Sequence, residues 1–146
     1  MNPELAFTVL NTVALPWWAL WLVAPRSALA QRAASHAAIF IALGLVYTVL
    51  LVTAMSGAPL SGFDFEGVRA GLTTPVGFLA GWTHYIAFDL FVGAWIVRES
   101  RRLAVEPRVY LFFTLMAGPL GLMSFLVRRA FTSDGLAGIG RAAPET

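Results

Sequence analysis

Residues 81–95 read GWTHYIAFDLFVGAW, an aromatic and apolar run interrupted by one histidine and one aspartate. Extended to 75–97, this run is long enough to cross a bilayer, since about 20 mostly apolar residues span about 30 Å of hydrocarbon. Three more segments meet the same standard, at about 4–24, 34–56 and 109–127. The 146 residues are 58% hydrophobic and only 12% charged, whereas about a quarter of a soluble domain is charged. Mean hydropathy is +0.74. The pattern predicts an all-α integral membrane protein, a four-helix bundle over 1–131, with a small, polar and flexible tail over 132–146.

Residue types that are missing narrow the chemistry. All ten basic residues are arginine, so a Schiff base on lysine is excluded, and the absence of cysteine removes disulfides, thiolate metal sites and thiol nucleophiles. The arginines flank the apolar runs and form no stripe, which argues against nucleic acid as a partner and for membrane lipids. A membrane protein partner or a second copy of the chain fits the same surface. Arg26 and Arg32 lie in one connection, and Arg98, Arg101, Arg102 and Arg108 in another. The positive-inside rule puts these connections in the cytoplasm and both chain ends outside, with Arg128 and Arg129 standing against that orientation. An arginine-rich, lysine-free composition is that of a GC-rich bacterial gene, which points to a bacterial inner membrane.

Within the first apolar run Pro16 predicts a tolerated kink, and Trp17, Trp18 and Trp21 mark its interfacial end. Residues 56–75 read as a partly ordered loop in which FEGVRAGL forms a short amphipathic turn at the interface. Gly118-Pro119-x-Gly121 in the fourth run predicts a kink or a close helix approach.

On a helix, His84 and Asp89 lie about 140° apart around the axis and about 7.5 Å apart along it. Tyr85, Phe88 and Phe91 share their broad arc, while Thr83, Ile86, Ala87, Leu90, Ala94 and Val97 make an almost wholly apolar arc. The first arc is expected to face the bundle and the second the lipid. An aspartate at membrane depth costs about 2.5–3.5 kcal/mol, so it must be paired, neutral or functional. Pairing with Tyr85 or with Arg98 is the structural alternative. Asn11, Tyr47, Thr48 and Thr114 sit at compatible depth, either as hydrogen bonds between helices or as ligand contacts.

Haem and metal are tested by depth. His36 lies near one end of its run and His84 near the middle of another, a mismatch on the order of 10 Å. Ligation of a haem by both histidines is thereby disfavoured, and a metal would find one His, one Asp and no third ligand. No cofactor and no metal are expected.

Asn11-x4-Pro16-Trp17, then Gly81-Trp82-x-His84-Tyr85-x-x-Phe88-Asp89-Leu90-Phe91-x-Gly93, then Phe113-Thr114-x-x-x-Gly118-Pro119-Leu120-Gly121 resemble the abscisic-acid-deficient-four-like family over residues 1 to about 128. Plant members of that family are associated with neoxanthin synthesis in plastid membranes. The resemblance implies a carotenoid or other isoprenoid ligand and carries His84 and Asp89 over as site residues. It implies a cofactor-independent isomerisation in which an acid protonates an epoxide oxygen and a base removes a proton from the adjacent polyene carbon. Asp89 as acid and His84 as base, or the reverse, fit that chemistry. Asn11 and Tyr85 would hold the oxygen, Trp82, Phe88, Phe91 and Trp95 would line the polyene, and Thr114 would add a further contact. Two classes stay open: a carotenoid or isoprenoid-lipid isomerase, and a non-catalytic membrane protein that binds such a lipid or scaffolds a partner enzyme. A proton-coupled transporter is a third class, with no pair of discontinuous helices to support it.

Overall fold

The computed structural model describes residues 2–57 and 64–132 and contains six helices in that range: α1 (Pro3–Val23), α2 (Ala28–Ser35), α3 (Ala38–Gly57), α4 (Phe65–Thr73), α5 (Pro75–Arg102) and α6 (Arg108–Ala130). Four helical segments, 3–23, 28–56, 75–102 and 108–130, are long and apolar enough to cross a membrane. Leu5, Val9, Ile41, Leu45 and Val49 are among many large apolar side chains left exposed. Such continuous apolar surface suits lipid and not water. The expectation of a flexible tail over 132–146 falls almost entirely outside the described residues.

The helix starts follow from short polar side chains. Asn2 caps α1 by accepting from the amides of Glu4 and Leu5 at 3.0 and 3.2 Å, with Pro3 in the first helical position where its missing N–H is harmless. Asp64 caps α4 through Gly67 N at 2.8 Å, so FEGVRAGL forms a full helix where a turn within a loop was expected. Thr74, extended because Pro75 follows it, caps α5 through Gly77 N at 3.1 Å.

The chain divides into two compact units, and α1 and α5 contribute to both. The first unit holds, among the described residues, 2–16, 37–57 and 64–88. Its buried side chains include Leu10, Ala14, Leu43, Leu50, Leu79 and Thr83. The second holds, among the described residues, 17–36 and 89–132. Here Trp18 and Trp21 are buried, against the expectation that they mark an interface. Gly93 explains the difference: a Cβ there would stand 2.9 Å from the Trp18 ring and 3.3 Å from that of Trp21, so its bare backbone is the floor on which both indoles pack. Trp21 also donates through Nε1 to the Ala30 carbonyl at 3.3 Å.

The expected faces of α5 are exchanged. Leu90, Ala94 and Thr83 are fully buried at 0% exposure and Val97 is buried too, whereas Tyr85 and Phe88 are 54% and 59% exposed and Phe91 is exposed as well. The reason is size. Lipid is as apolar as leucine, so helices in a membrane associate through small residues that allow close approach, leaving bulky aromatics free to face the chains.

Within the second unit, α6 is folded back on itself. Ala117 leaves helical geometry at φ −157° and ψ 58°. A Cβ on Gly121 would collide with the backbone nitrogen and Oγ1 of Thr114. The Tyr110 and Phe125 rings meet edge to face at 5.3 Å, although a straight helix would separate their Cα atoms by about 22 Å. The kink expected at Gly118-Pro119-x-Gly121 is thus a reversal of direction, with one limb over 108–116 and the other over 118–130.

Candidate functional site

Asp89 is held where α6 turns. Its half-buried carboxyl covers Gly118 so closely that a Cβ there would lie 2.9 Å from Cγ, 3.1 Å from Oδ2 and nearer still to Oδ1. Only glycine admits the carboxyl at this point. Pro119 follows with no N–H, so the Leu115 carbonyl loses the donor that a continuous helix would supply. Among the described residues no donor claims either Asp89 oxygen. The two expected structural partners are engaged otherwise or absent: Arg98 donates to the Ala34 carbonyl, and Tyr85 makes no hydrogen bond to Asp89. A carboxyl that no donor engages, beside an interrupted helix, can give a proton to, or take one from, a polar group that enters there.

The other residues of the motif have their own surroundings. In the first unit, Asn11 bridges two helices, donating through Nδ2 to the Phe7 carbonyl at 2.7 Å and accepting from Trp82 Nε1 at 3.3 Å. Phe7, Phe78, Trp82 and Tyr85 continue as an aromatic row, with ring centroids 5.1 Å apart for Phe7 and Trp82 and 6.4 Å for Trp82 and Tyr85. His84 is exposed, and its ring lies 5.7 Å from Tyr47 and 4.5 Å from Phe88. In the second unit Trp95 packs edge to face on Phe125 at 5.2 Å, and Phe91 is exposed. Thr114 is buried at the crossing of the α6 limbs, donating to the Tyr110 carbonyl at 2.8 Å. Among the described residues no three His, Asp or Glu side chains are grouped as metal ligands would be.

Two features escaped the sequence reading. The first is the seat of Asp89 on Gly118, signalled only by the Gly-Pro pair. The second is a charge cluster at the far ends of α5 and α6. Glu99 receives Arg102 Nε and Nη2 at 2.9 and 2.7 Å and Arg129 Nε at 2.9 Å, and Arg129 is fully buried. An open apolar groove of about 390 Å³ follows the second limb of α6 along Pro119, Met123, Leu126, Val127 and Phe131.

A family model described as ABA DEFICIENT 4-like matches residues 5–125. The chain belongs to the ABA DEFICIENT 4-like family. Among curated proteins it is similar to "Protein ABA DEFICIENT 4, chloroplastic" of Arabidopsis thaliana, at 22% identity over 136 residues. That alignment covers 88% of this chain and 62% of the plant protein, so the chain spans under two thirds of its relative's length. No solved structure matches. The ABA DEFICIENT 4-like match takes in Asn11, the 81–95 motif, Thr114 and the Gly118-Pro119 break, while Arg129 lies beyond it.

Proposed function

We propose that this protein is a membrane-embedded isomerase of a carotenoid or related isoprenoid lipid, with Asp89 as its central acid–base group. The observation that carries the reading is the seat of Asp89 on Gly118 at the break in α6, where no donor among the described residues engages either carboxyl oxygen. Family membership and the resemblance to plant members associated with neoxanthin synthesis support the choice of ligand class. In the reaction Asp89 gives a proton to an epoxide oxygen, and the C–O electron pair passes to that oxygen as the ring opens to an alcohol. A base then takes a proton from the adjacent polyene carbon, and the C–H pair becomes the new double bond. One proton is given and one taken, so substrate and product are isomers and no electrons are exchanged. His84, five residues earlier on the same helix, is the second acid–base group of the motif.

A non-catalytic role in holding such a lipid is favoured by one observation: the neighbours of His84 are the rings of Tyr47 and Phe88, which suit an apolar chain better than proton transfer. Single-turnover incubation of the purified protein with epoxy-carotenoids, read by mass and isomer composition, separates the two. Conversion by wild type with loss in Asp89→Asn supports the isomerase, because the amide has the shape of the acid without its proton. A polyene that co-purifies at unchanged mass and isomer composition supports the binding protein.

A further inference from the structure

The ends of α6 meet the same end of the second unit. At its start, Arg108 donates to the carbonyls of Leu22 and Val23, the last residues of α1, at 2.9 and 3.0 Å. At its finish, Arg129 reaches Glu99, in the last turn of α5. Arg26, in the turn after α1, pairs with Glu106 at 3.4 Å, just ahead of α6. Both termini of α6 are therefore tied to the C-terminal ends of α1 and α5. Neither limb is long enough to cross: nine residues over 108–116 rise about 13 Å and thirteen over 118–130 about 19 Å, against about 30 Å of hydrocarbon.

We propose that α6 is a re-entrant hairpin, which enters and leaves the membrane on the arginine-rich side and carries its turn, with Asp89 against Gly118, inside the bilayer. The protein then crosses the membrane three times, through α1, the α2–α3 segment and α5. Residue 131 lies on the side of the α1–α2 and α5–α6 connections, opposite to the side on which α1 begins.

Charge supports this topology independently of the hairpin geometry. Read as a full crossing, the last segment puts Arg128 and Arg129 on the side opposite Arg26, Arg32 and the Arg98–Arg108 group. Folded back, it joins them to that group. The opposite side then keeps Arg69 alone among the described arginines, neutralised by Glu66 at 2.6 Å. Positive charge gathers on the cytoplasmic side of membrane proteins, and the conflict within the sequence disappears. Glu99 has a positioning part in this arrangement: it lets the buried Arg129 end the second limb where the first began. At the turn Gly118 is buried under the Asp89 carboxyl, whereas Ala117, the residue that leaves helical geometry, is exposed.

The absence of native cysteine makes the test direct. Single variants Leu29→Cys, Ala70→Cys, Ala104→Cys and Phe131→Cys, in the full chain, are treated with a membrane-impermeant maleimide in right-side-out and inverted vesicles. The expected result is that 29, 104 and 131 react from one side and 70 from the other. Reaction of 131 together with 70, or only after detergent is added, overturns the proposal. A second measurement needs no sidedness: the pair Tyr110→Cys with Phe125→Cys, treated with a short bifunctional maleimide, should close an intramolecular bridge seen as a single adduct by intact mass. Two separate adducts on each chain would mean an extended helix and would also overturn it.

Discussion

The Asp89 carboxyl stands in the space that any side chain at residue 118 would need. Gly118→Ala should therefore displace the carboxyl or open the α6 turn, destabilising the fold by about 1–3 kcal/mol as overpacking does. Thermal unfolding in detergent reads that loss. Asp89→Ala combined with Gly118→Ala should recover most of it, because the clash has lost one partner. A Gly118→Ala protein as stable as wild type would disprove the close seat.

Glu99 and Arg129 form a buried ion pair, and removing Arg129 leaves the Glu99 carboxylate with Arg102 alone. Arg129→Met is expected to destabilise the protein by about 1.5–3 kcal/mol, the range for a lost hydrogen bond to a charged group. Arg26→Met, at an exposed pair with Glu106, should change stability by less than about 1 kcal/mol. Equal midpoints for the two variants in a denaturation series would contradict the burial.

The exchanged faces of α5 make a paired prediction. Leu90→Ala removes a side chain from a closed core and should cost about 2–5 kcal/mol. Phe91→Leu alters an exposed ring and should stay within about 0.5 kcal/mol of wild type. If Phe91→Leu proves the more damaging, the helix is turned the other way.

Asn11 and Trp82 are joined by a single hydrogen bond between helices at 3.3 Å. Membrane double-mutant cycles average about 0.6 kcal/mol for such bonds, so Asn11→Ala with Trp82→Phe should show coupling of about that size. A coupling several times larger would mean that the pair organises more of the aromatic row than this one bond.

The membrane class, the four apolar runs and the family could be read from sequence because they depend on composition, length and an extended motif. The orientation of α5 could not be read by hydrophobicity, since Leu90 in the core and Phe91 in lipid meet equally apolar surroundings. The cue lay in the small residues Gly93 and Ala94, next to which the indoles of Trp18 and Trp21 find room. For α6 the Gly-Pro pair announced an interruption but not its angle. Arg128 and Arg129 carried the missing information as charges that fitted poorly on the side assigned to them. Asp89 was legible as the exceptional residue, while its seat depended on a glycine 29 positions away in the chain, which no local pattern connects to it.

The bond between Arg129 and Glu99 joins groups 30 residues apart in sequence, and this separation sets an order of events during synthesis. Glu99 emerges first and is engaged by Arg102, three residues on, so one carboxylate is already half neutralised while the rest of α6 is still being made. Arg129 can dock only where Glu99 already stands, so the end of α5 has to be in place before α6 can close. Interrupted maturation would leave α6 unclosed and Arg129 away from Glu99.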